Sequence, residues 1–201
     1  MDHVLRVYNL CVRLGQGAKI DWQVLKAAAL LHDIGRAEED KDKSGKIDHA
    51  VVGAEMAEKI LEKLGFSDEK IRHIKHCILT HRYRRGDKPK TKEAKILFDA
   101  DKLDSLGAIG AARAFSWAGR HNAHLYRTAD INKYIRQNLG GKINGKIKDK
   151  TEHSPQIEYK TKLKFLVRRL YTPQARKIGR ERKGYLKEFL RRLEKEVKGR
   201  L

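Results

Sequence analysis

Apolar residues recur along most of the chain at the three- and four-residue spacing of amphipathic helices, and no strand-like alternation continues beyond four residues. The first helix is predicted over residues 2–14, where His3, Val7, Leu10 and Leu14 share one face. The same spacing predicts six further helices: 22–33, 49–64, 68–81, 92–118, one from Pro155 and one from Pro173. The pattern therefore predicts an all-α, single-domain fold of roughly seven to nine helices.

Polar residues mark the ends of these helices. Asp21, Asp48 and Ser67 stand where N-caps are expected, and Gly35 ends the second helix. A charged loop is predicted over residues 35–47 and a basic loop over residues 82–92. The pattern weakens over 119–154, and its glycine-rich run is typical of a flexible loop or lid.

The domain organisation follows from these elements. We expect one domain over residues 1–201, with a core over 1–118, a variable loop region over 119–154 and basic helices over 155–198. The last helix is expected to bury one stripe of residues: Ala175, Ile178, Tyr185, Leu186, Phe189, Leu193 and Val197.

The amino-acid composition indicates the cellular compartment in which the protein is expected. Hydrophobic residues make up 40% of the chain, aromatic residues 7% and charged residues 36%. Cys11 and Cys77 stand in apolar helical surroundings without a paired-cysteine motif, which favours reduced core thiols. Neither a signal-peptide pattern nor an 18-residue apolar run is present, so we expect a cytoplasmic protein with no membrane partner.

The formal net charge of +20 is concentrated towards the C-terminus. Residues 142–201 hold 20 Lys and Arg against 7 Asp and Glu. A basic field of this size attracts phosphate-bearing ligands and would favour nucleic acid, although it also suits a solvated helical surface. Nucleic acid is kept as a less favoured partner, and the oligomeric state is left open.

Candidate metal chemistry lies at the end of the second helix. His32 and Asp33 are adjacent, and an imidazole beside a carboxylate suits a divalent first-row metal ion. A second signal comes from one stripe of the predicted helix 92–118, which contains Leu97, Asp101, Asp104 and Ala108. Two carboxylates on an apolar face are unfavourable unless a cation or a donor neutralises them.

The spacing of these residues resembles the HD-domain metal-dependent phosphohydrolases, and more narrowly a small-hydrolase branch of that superfamily. The resemblance rests on three strings, Asp2–Val7, Ala28–Gly35 and Phe98–Gly110. It covers residues 1–118 well and residues 155–198 more loosely. It implies an HD-type helical fold around a central metal cleft and hydrolysis of a phosphoester or phosphoanhydride bond, with a nucleotide as the favoured substrate.

The resemblance also implies roles for particular residues. It assigns the metal to His3, His32, Asp33 and Asp101, with Asp33 also accepting a proton. Manganese is the first choice of ion, and nickel, iron, cobalt, zinc and magnesium are alternatives. The expected catalytic residues are Asp33, Arg6, Arg36 and Lys102, the last three as charge stabilisers near the phosphate, and Asp104 is expected to orient a histidine or a basic residue.

Three further hypotheses remain open: a second metal site, a di-iron oxygenase and a nucleic-acid-binding protein. In relatives with two metals, histidines complete a second site with the motif aspartate bridging, and His49 and His81 match those positions best. A di-iron oxygenase of HD type would need these two extra histidines. A nucleic-acid-binding protein that uses the basic C-terminal third is the non-enzyme alternative.

His3 stands in the first helical turn, so we also expect the first six residues to become ordered only when metal binds.

Overall fold

The structure is a computed structural model, and it describes residues 2–82 and 87–201. Within these residues the regular structure is helical and no strand is present, which confirms the all-α prediction. Residues 83–86 of the predicted basic loop lie outside the described residues. The chain forms two compact units, one of Met1–Lys102 with Leu170–Ala175 and the other of Leu103–Arg169 with Arg176–Leu201. The predicted division into core, loop region and basic helices stays a prediction.

The first unit is built from helices that pack in pairs. Helix α1 packs on α2, α2 on α5, and α4 on both α3 and α5. Their buried faces are made of small and branched aliphatic residues, which lets the helices lie close together. The helices of this unit are α1 Asp2–Gly15, α2 Trp22–Leu31, α3 Arg36–Lys41, α4 His49–Lys63, α5 Asp68–Thr80 and α6 Lys92–Leu103, whose last residue belongs to the second unit.

The three predicted N-caps are confirmed. The Asp21 side chain accepts two backbone N–H groups of α2, the Asp48 side chain accepts one of α4, and the Ser67 side chain accepts one of α5. Each cap satisfies amide groups that have no partner inside the helix. The beginnings of α2, α4 and α5 are therefore fixed by local chemistry.

Gly35 allows the turn after α2 to lie directly against α4. A Cβ at Gly35 would lie 2.5 Å from the His49 carbonyl oxygen and 2.6 Å from the Gly53 amide nitrogen. Carbon cannot approach backbone atoms so closely, so only glycine fits at this position. The contact brings the residues just before Gly35 next to the first turn of α4.

The second unit contains its own small core. Tyr134, Leu139 and Ile157 form its buried cluster. The helices of this unit are α7 Gly107–Arg120, α8 Ile131–Asn138, α9 Pro155–Thr161, a 3-10 helix Leu163–Arg169, and α10 Pro173–Val197, whose first three residues belong to the first unit. None of the helices in the described ranges has the length and apolar character needed to cross a bilayer.

The prediction of one helix over 92–118 is wrong. Helix α6 ends at Leu103, and α7 begins at Gly107, which has a left-handed backbone conformation with φ +74°. A Cβ at Gly110 would lie 2.4 Å from the Ser105 carbonyl oxygen, so the chain turns tightly here. As a result Ala108, which was placed on the stripe of Asp101, is exposed.

Two predicted loops contain more structure than their patterns indicated. The charged segment 35–47 contains α3, and the segment 119–154 contains α8. The Asn138 amide oxygen accepts the backbone N–H groups of Lys148 and Asp149, and its NH₂ group donates to the Asp149 carbonyl. One side chain therefore fixes the end of the glycine-rich run, where we had expected a flexible loop.

The predicted buried stripe of α10 is partly wrong. Ala175, Ile178 and Leu186 are buried, but Tyr185, Phe189 and Val197 are 52%, 37% and 52% exposed. Leu193 is half-buried, and Leu190, which was not predicted, is buried. The apolar residues of this helix exceed the width of its buried face, and helical periodicity alone does not identify which of them are covered.

Candidate metal centre

Four of the predicted metal ligands lie together in the first unit. His3 Nε2 lies 3.3 Å from His32 Nε2, 3.5 Å from Asp33 Oδ2 and 3.4 Å from Asp101 Oδ1. The distance from His32 Nε2 to Asp33 Oδ2 is 3.9 Å. The His32 side chain is fully buried, whereas the other three are half-buried. Helices α1 and α6, and the turn that follows α2, bring the four side chains together.

The hydrogen bond of His32 fixes which ring nitrogen carries the proton. His32 Nδ1 lies 2.8 Å from the Ala29 carbonyl oxygen, and a carbonyl can only accept. Nδ1 is therefore the donor. Burial and the nearby His81 lower the pKa of His32 to about 4, so the ring is neutral at pH 7. Its Nε2 then presents a lone pair towards His3 and Asp33.

The resulting arrangement fits a divalent cation. Carboxylate oxygens and an unprotonated ring nitrogen are all acceptors, so they repel one another unless a cation lies between them. Ligand atoms bound to one ion at about 2.1 Å lie roughly 3.0 to 3.4 Å apart in octahedral and tetrahedral shells. The separations of 3.3–3.9 Å in this group are close to that range and too long for ordinary hydrogen bonds to the carboxylates.

A second group of acceptors shares Asp33. Asp33 Oδ1 lies 3.4 Å from His49 Nε2 and 3.8 Å from His81 Nε2, and these two nitrogens are 3.3 Å apart. His49 Nδ1 donates to Glu39 Oε2 at 2.7 Å, and His81 Nδ1 donates to the Ile78 carbonyl at 2.6 Å. Both rings therefore direct Nε2 at Asp33. The two oxygens of Asp33 therefore face different histidine pairs, Oδ2 towards His3 and His32 and Oδ1 towards His49 and His81.

The other two histidines of α5 have different partners. His73 Nε2 lies 3.2 Å from Glu93 Oε2, and His76 Nε2 accepts the backbone N–H of Lys90 at 3.1 Å. Neither belongs to a group that could hold a metal ion within the described residues.

Two residues of the site were not predicted from the sequence, Glu39 and Arg82. Glu39 holds His49 and also pairs with Arg82 at 2.7 Å, and Arg82 pairs with Asp48 at 2.9 Å. Hydrogen-bonded partners of this kind fix the tautomer and orientation of a ligating histidine. The available sequence signal was an acid in the segment that follows Asp33, but that segment contains three neighbouring acids and gives no reason to choose this one.

The predicted phosphate-binding cations differ in their surroundings. Arg36 is 44% exposed and contacts Asp33 Oδ1 at 3.1 Å and Glu39 Oε2 at 2.8 Å. Lys102 is buried, contacts the Asp101 carboxylate and donates to the His81 carbonyl at 2.9 Å. Arg6 is half-buried on α1, one turn after the first predicted ligand.

The carboxylates of the site are held in their charged form. Burial opposes the charge on Asp33, but His81, His32 and Arg36 together hold the pKa of its carboxyl below the ordinary value. Burial likewise opposes the charge on Asp101, and Lys102 and His3 hold that pKa well below its usual range. Both groups are therefore ionised at neutral pH, as metal ligands need to be.

Asp104 belongs to the second unit and follows the last turn of α6. Its carboxylate is buried and accepts a hydrogen bond from Arg113 at 2.6 Å. The expectation that Asp104 orients a histidine or a basic residue beside the metal ligands stays a prediction.

We expect the metal-free protein to lose stability as the pH falls from about 6.5 towards 4. Burial, followed by nearby positive charge, lowers the pKa of both His32 and His49, so the folded state stays neutral where the unfolded state takes up protons. The shift of His32 alone corresponds to about 3 kcal/mol of the free energy of unfolding over the whole range, of which about 2 kcal/mol is lost between pH 7.0 and 5.0. Urea unfolding at pH 7.0 and 5.0, in chelator, measures the loss.

Two variants provide the comparison for this experiment. His49→Gln should show a smaller loss between the two pH values, because one titrating ring is removed. His124→Gln is the matched control, since the His124 side chain is exposed, and it should behave as the wild type does. Equal free energies of unfolding at both pH values in the wild type would contradict the neutral-histidine assignment.

The fold and the site together define a class, an α-helical protein whose histidines and aspartates converge as a candidate metal centre. The chain matches the HD domain family over residues 1–106, more than half of its length, and it belongs to that family. HD domains bind divalent metal ions, and the described residues include two groups able to hold one.

Known proteins resemble this chain over nearly its whole length. The uncharacterized protein YpgQ of Bacillus subtilis is 28% identical over 201 residues, which cover 98% of this chain and 83% of YpgQ. The crystal structure of YpgQ in complex with ADP superposes with a TM-score of 0.71 at 26% identity and covers 99% of this chain and 90% of that one.

A predicted HD superfamily hydrolase from an uncultured Thermotogales bacterium gives a TM-score of 0.63 at 26% identity, covering 98% of this chain and 80% of that one. Together with the family match, these similarities support a hydrolase in general.

Proposed function

We propose that the chain is a metal-dependent phosphohydrolase that cleaves a phosphoester or phosphoanhydride bond of a nucleotide. The observation that carries the proposal is the convergence of acceptor atoms from His3, His32, Asp33 and Asp101. A nucleotide is supported by the relative YpgQ, which was crystallised with ADP. The excess of positive charge on the chain also favours a phosphorylated substrate.

In this proposal His3, His32, Asp33 and Asp101 would hold one divalent ion, and His49 and His81, together with Asp33, would hold a second. A divalent ion supplies polarisation of a phosphoryl oxygen and lowers the pKa of a water molecule. Manganese is our first choice because the donors are imidazole and carboxylate, with nickel, iron, cobalt, zinc and magnesium as alternatives.

The remaining residues would manage charge and protons around the phosphate. Arg36 is the cation best placed to turn towards a phosphate, because its side chain is exposed and its present contacts are to Asp33 and Glu39. Arg6 would add charge from α1. Lys102 would mainly hold Asp101 in position, since that contact and the His81 carbonyl occupy its ammonium group. Asp33 would accept the proton released by the attacking water.

A di-iron oxygenase of HD type is the second candidate from the same fold. The observation that favours it is the presence of six donors, four histidines and two aspartates, around a shared carboxylate. Two irons per chain after anaerobic purification, together with substrate-dependent oxygen consumption, would support the oxygenase. One or two divalent ions per chain with hydrolysis and no substrate-dependent oxygen consumption would support the phosphohydrolase.

The test of the proposed function is a panel of nucleoside mono-, di- and triphosphates and simple phosphoesters, assayed with several divalent metals. We expect release of phosphate, pyrophosphate or nucleoside from at least one nucleotide with manganese, and loss of that activity in excess chelator with recovery when the metal is restored. Turnover that is indifferent to chelator, or no turnover with any metal, would contradict the proposal.

A further inference from the structure

The positive charge of the second unit is concentrated in two short stretches. Residues 160–169 and 176–187 together contain eleven Lys and Arg against a single Glu. The proposed hydrolase uses none of these residues. Charge of this density raises the local concentration of polyanions near the surface.

Four of these cations form a line along α10. Arg176, Arg180, Lys183 and Lys187 are spaced by four, three and four residues, so they share one side of the helix. All four are exposed or half-exposed. With a rise of 1.5 Å per residue the line is about 16 Å long. We call these four residues the basic stripe.

The cations along α10 differ in whether they form salt bridges. Near the C-terminus, Arg191 pairs with Glu188, Arg192 with Glu196, and Lys198, which follows the last residue of α10, with Glu194. In the basic stripe, Arg180, Lys183 and Lys187 have no carboxylate of the described residues within salt-bridge distance. Three cations of the basic stripe therefore carry charge that no salt bridge within the described residues neutralises.

We propose that the basic stripe binds the phosphodiester backbone of a nucleic acid. A nucleic acid presents single negative charges at regular intervals along a line, and a row of cations one helical turn apart is complementary to such a ligand. Binding gains free energy because the cations release counterions condensed on the phosphates. No base-reading element is part of the proposal, so binding should be indifferent to sequence.

The geometry of α10 argues against an anionic membrane as the partner. Membrane-surface helices direct their apolar residues and flanking cations towards the same interface. The exposed Tyr185 is two residues from both Lys183 and Lys187, which places it about 160° around the helix from each. The cations of the basic stripe and the exposed Tyr185 therefore point in nearly opposite directions.

The experiment measures binding of the full chain to a labelled single-stranded RNA of about 20 nucleotides. A duplex DNA of the same sequence and vesicles of anionic phospholipid serve as alternative ligands. The test variant is Arg180→Gln/Lys183→Gln/Lys187→Gln. The matched control is Arg191→Gln/Arg192→Gln/Lys198→Gln, which changes the net charge by the same amount but removes cations that are already paired.

We expect the wild type to bind RNA or DNA with a steep salt dependence. The test variant should bind at least tenfold more weakly at low salt, and its slope of log K against log salt should be smaller by about 2 for the single strand. The control should stay within about threefold of the wild type. Equal losses in both variants, no measurable binding by the wild type, or tighter binding to vesicles than to nucleic acid would overturn the proposal.

Excess chelator distinguishes binding to the basic stripe from the proposed hydrolase activity. Binding to the basic stripe should be unchanged in excess chelator, and the test variant should hydrolyse a small substrate as the wild type does. Binding that disappears in chelator would place the nucleic acid at the metal centre and would contradict a separate surface.

Discussion

Replacing Asp33 with Ala should lower metal-dependent hydrolysis by roughly a thousandfold or more, with the helical circular dichroism unchanged. Both of its oxygens face histidine nitrogens, Oδ2 towards His3 and Oδ1 towards His49. The substitution therefore removes a ligand from both proposed ion positions at once. The Asp33 side chain is 14% exposed and small, so replacing it with alanine removes few packing contacts.

The matched control is Asp40→Ala, which removes an exposed carboxylate from the same segment of the chain. It should retain the kcat and metal dependence of the wild type. An Asp33→Ala variant with wild-type turnover and wild-type response to chelator would rule out the site. A variant that loses its helical signal would be replaced by Asp33→Asn, which keeps the shape of the side chain.

Replacing Gly35 with Ala should lower the free energy of unfolding by about 2 to 3 kcal/mol. The new Cβ would collide with backbone atoms of His49 and Gly53, and backbone cannot move away as a flexible side chain can. The turn after α2 and the first turn of α4 would have to separate, so Asp33 and His49 should move apart. Chemical denaturation measures the first effect, and a weaker affinity for added metal measures the second.

Gly184→Ala is the control for this prediction. Gly184 lies within α10, and a Cβ there would meet nothing within 4 Å. It should be neutral or stabilising by up to about 1 kcal/mol, because alanine favours the helix. If the two substitutions changed the free energy of unfolding by the same amount, the close approach at Gly35 would not be what makes a side chain there destabilising.

The helices of the first unit could be predicted because their signals are local. Helical spacing identified α1, and the caps at Asp21, Asp48 and Ser67 marked where three other helices begin. Each of these signals depends on residues within one or two turns of the chain. The sequence alone was therefore sufficient for the fold class and most helix boundaries.

The errors arose where distant or irregular contacts decide the structure. Gly107 interrupts the apolar periodicity of 92–118 through its backbone conformation, which residue spacing does not reveal. Asn138 organises a glycine-rich loop through side-chain bonds to residues ten and eleven positions away. The exposure of Tyr185 depends on which neighbours cover α10, and one helix pattern contains no information about its neighbours.

The candidate site was predicted mainly from the resemblance to the HD-domain family and less from the chemistry of the individual residues. The pair His32 and Asp33 and the acid Asp101 suggested a cation from their chemistry, but the choice of His3, His49 and His81 depended on the HD pattern. The structure brings all of these side chains together, and their role as ligands remains our proposal. Glu39 could not be chosen in advance because its importance comes from its contact with His49.

The most direct test of the central claim is the metal content of the purified chain, measured by mass spectrometry after dialysis against metal-free buffer and titration with manganese. The wild type should retain at least one divalent ion per chain. Asp101→Asn should lose it and lose hydrolysis, while Asp40→Asn should retain both. A wild type that binds no divalent ion, or an Asp101→Asn variant that binds the ion with unchanged affinity, would contradict the account.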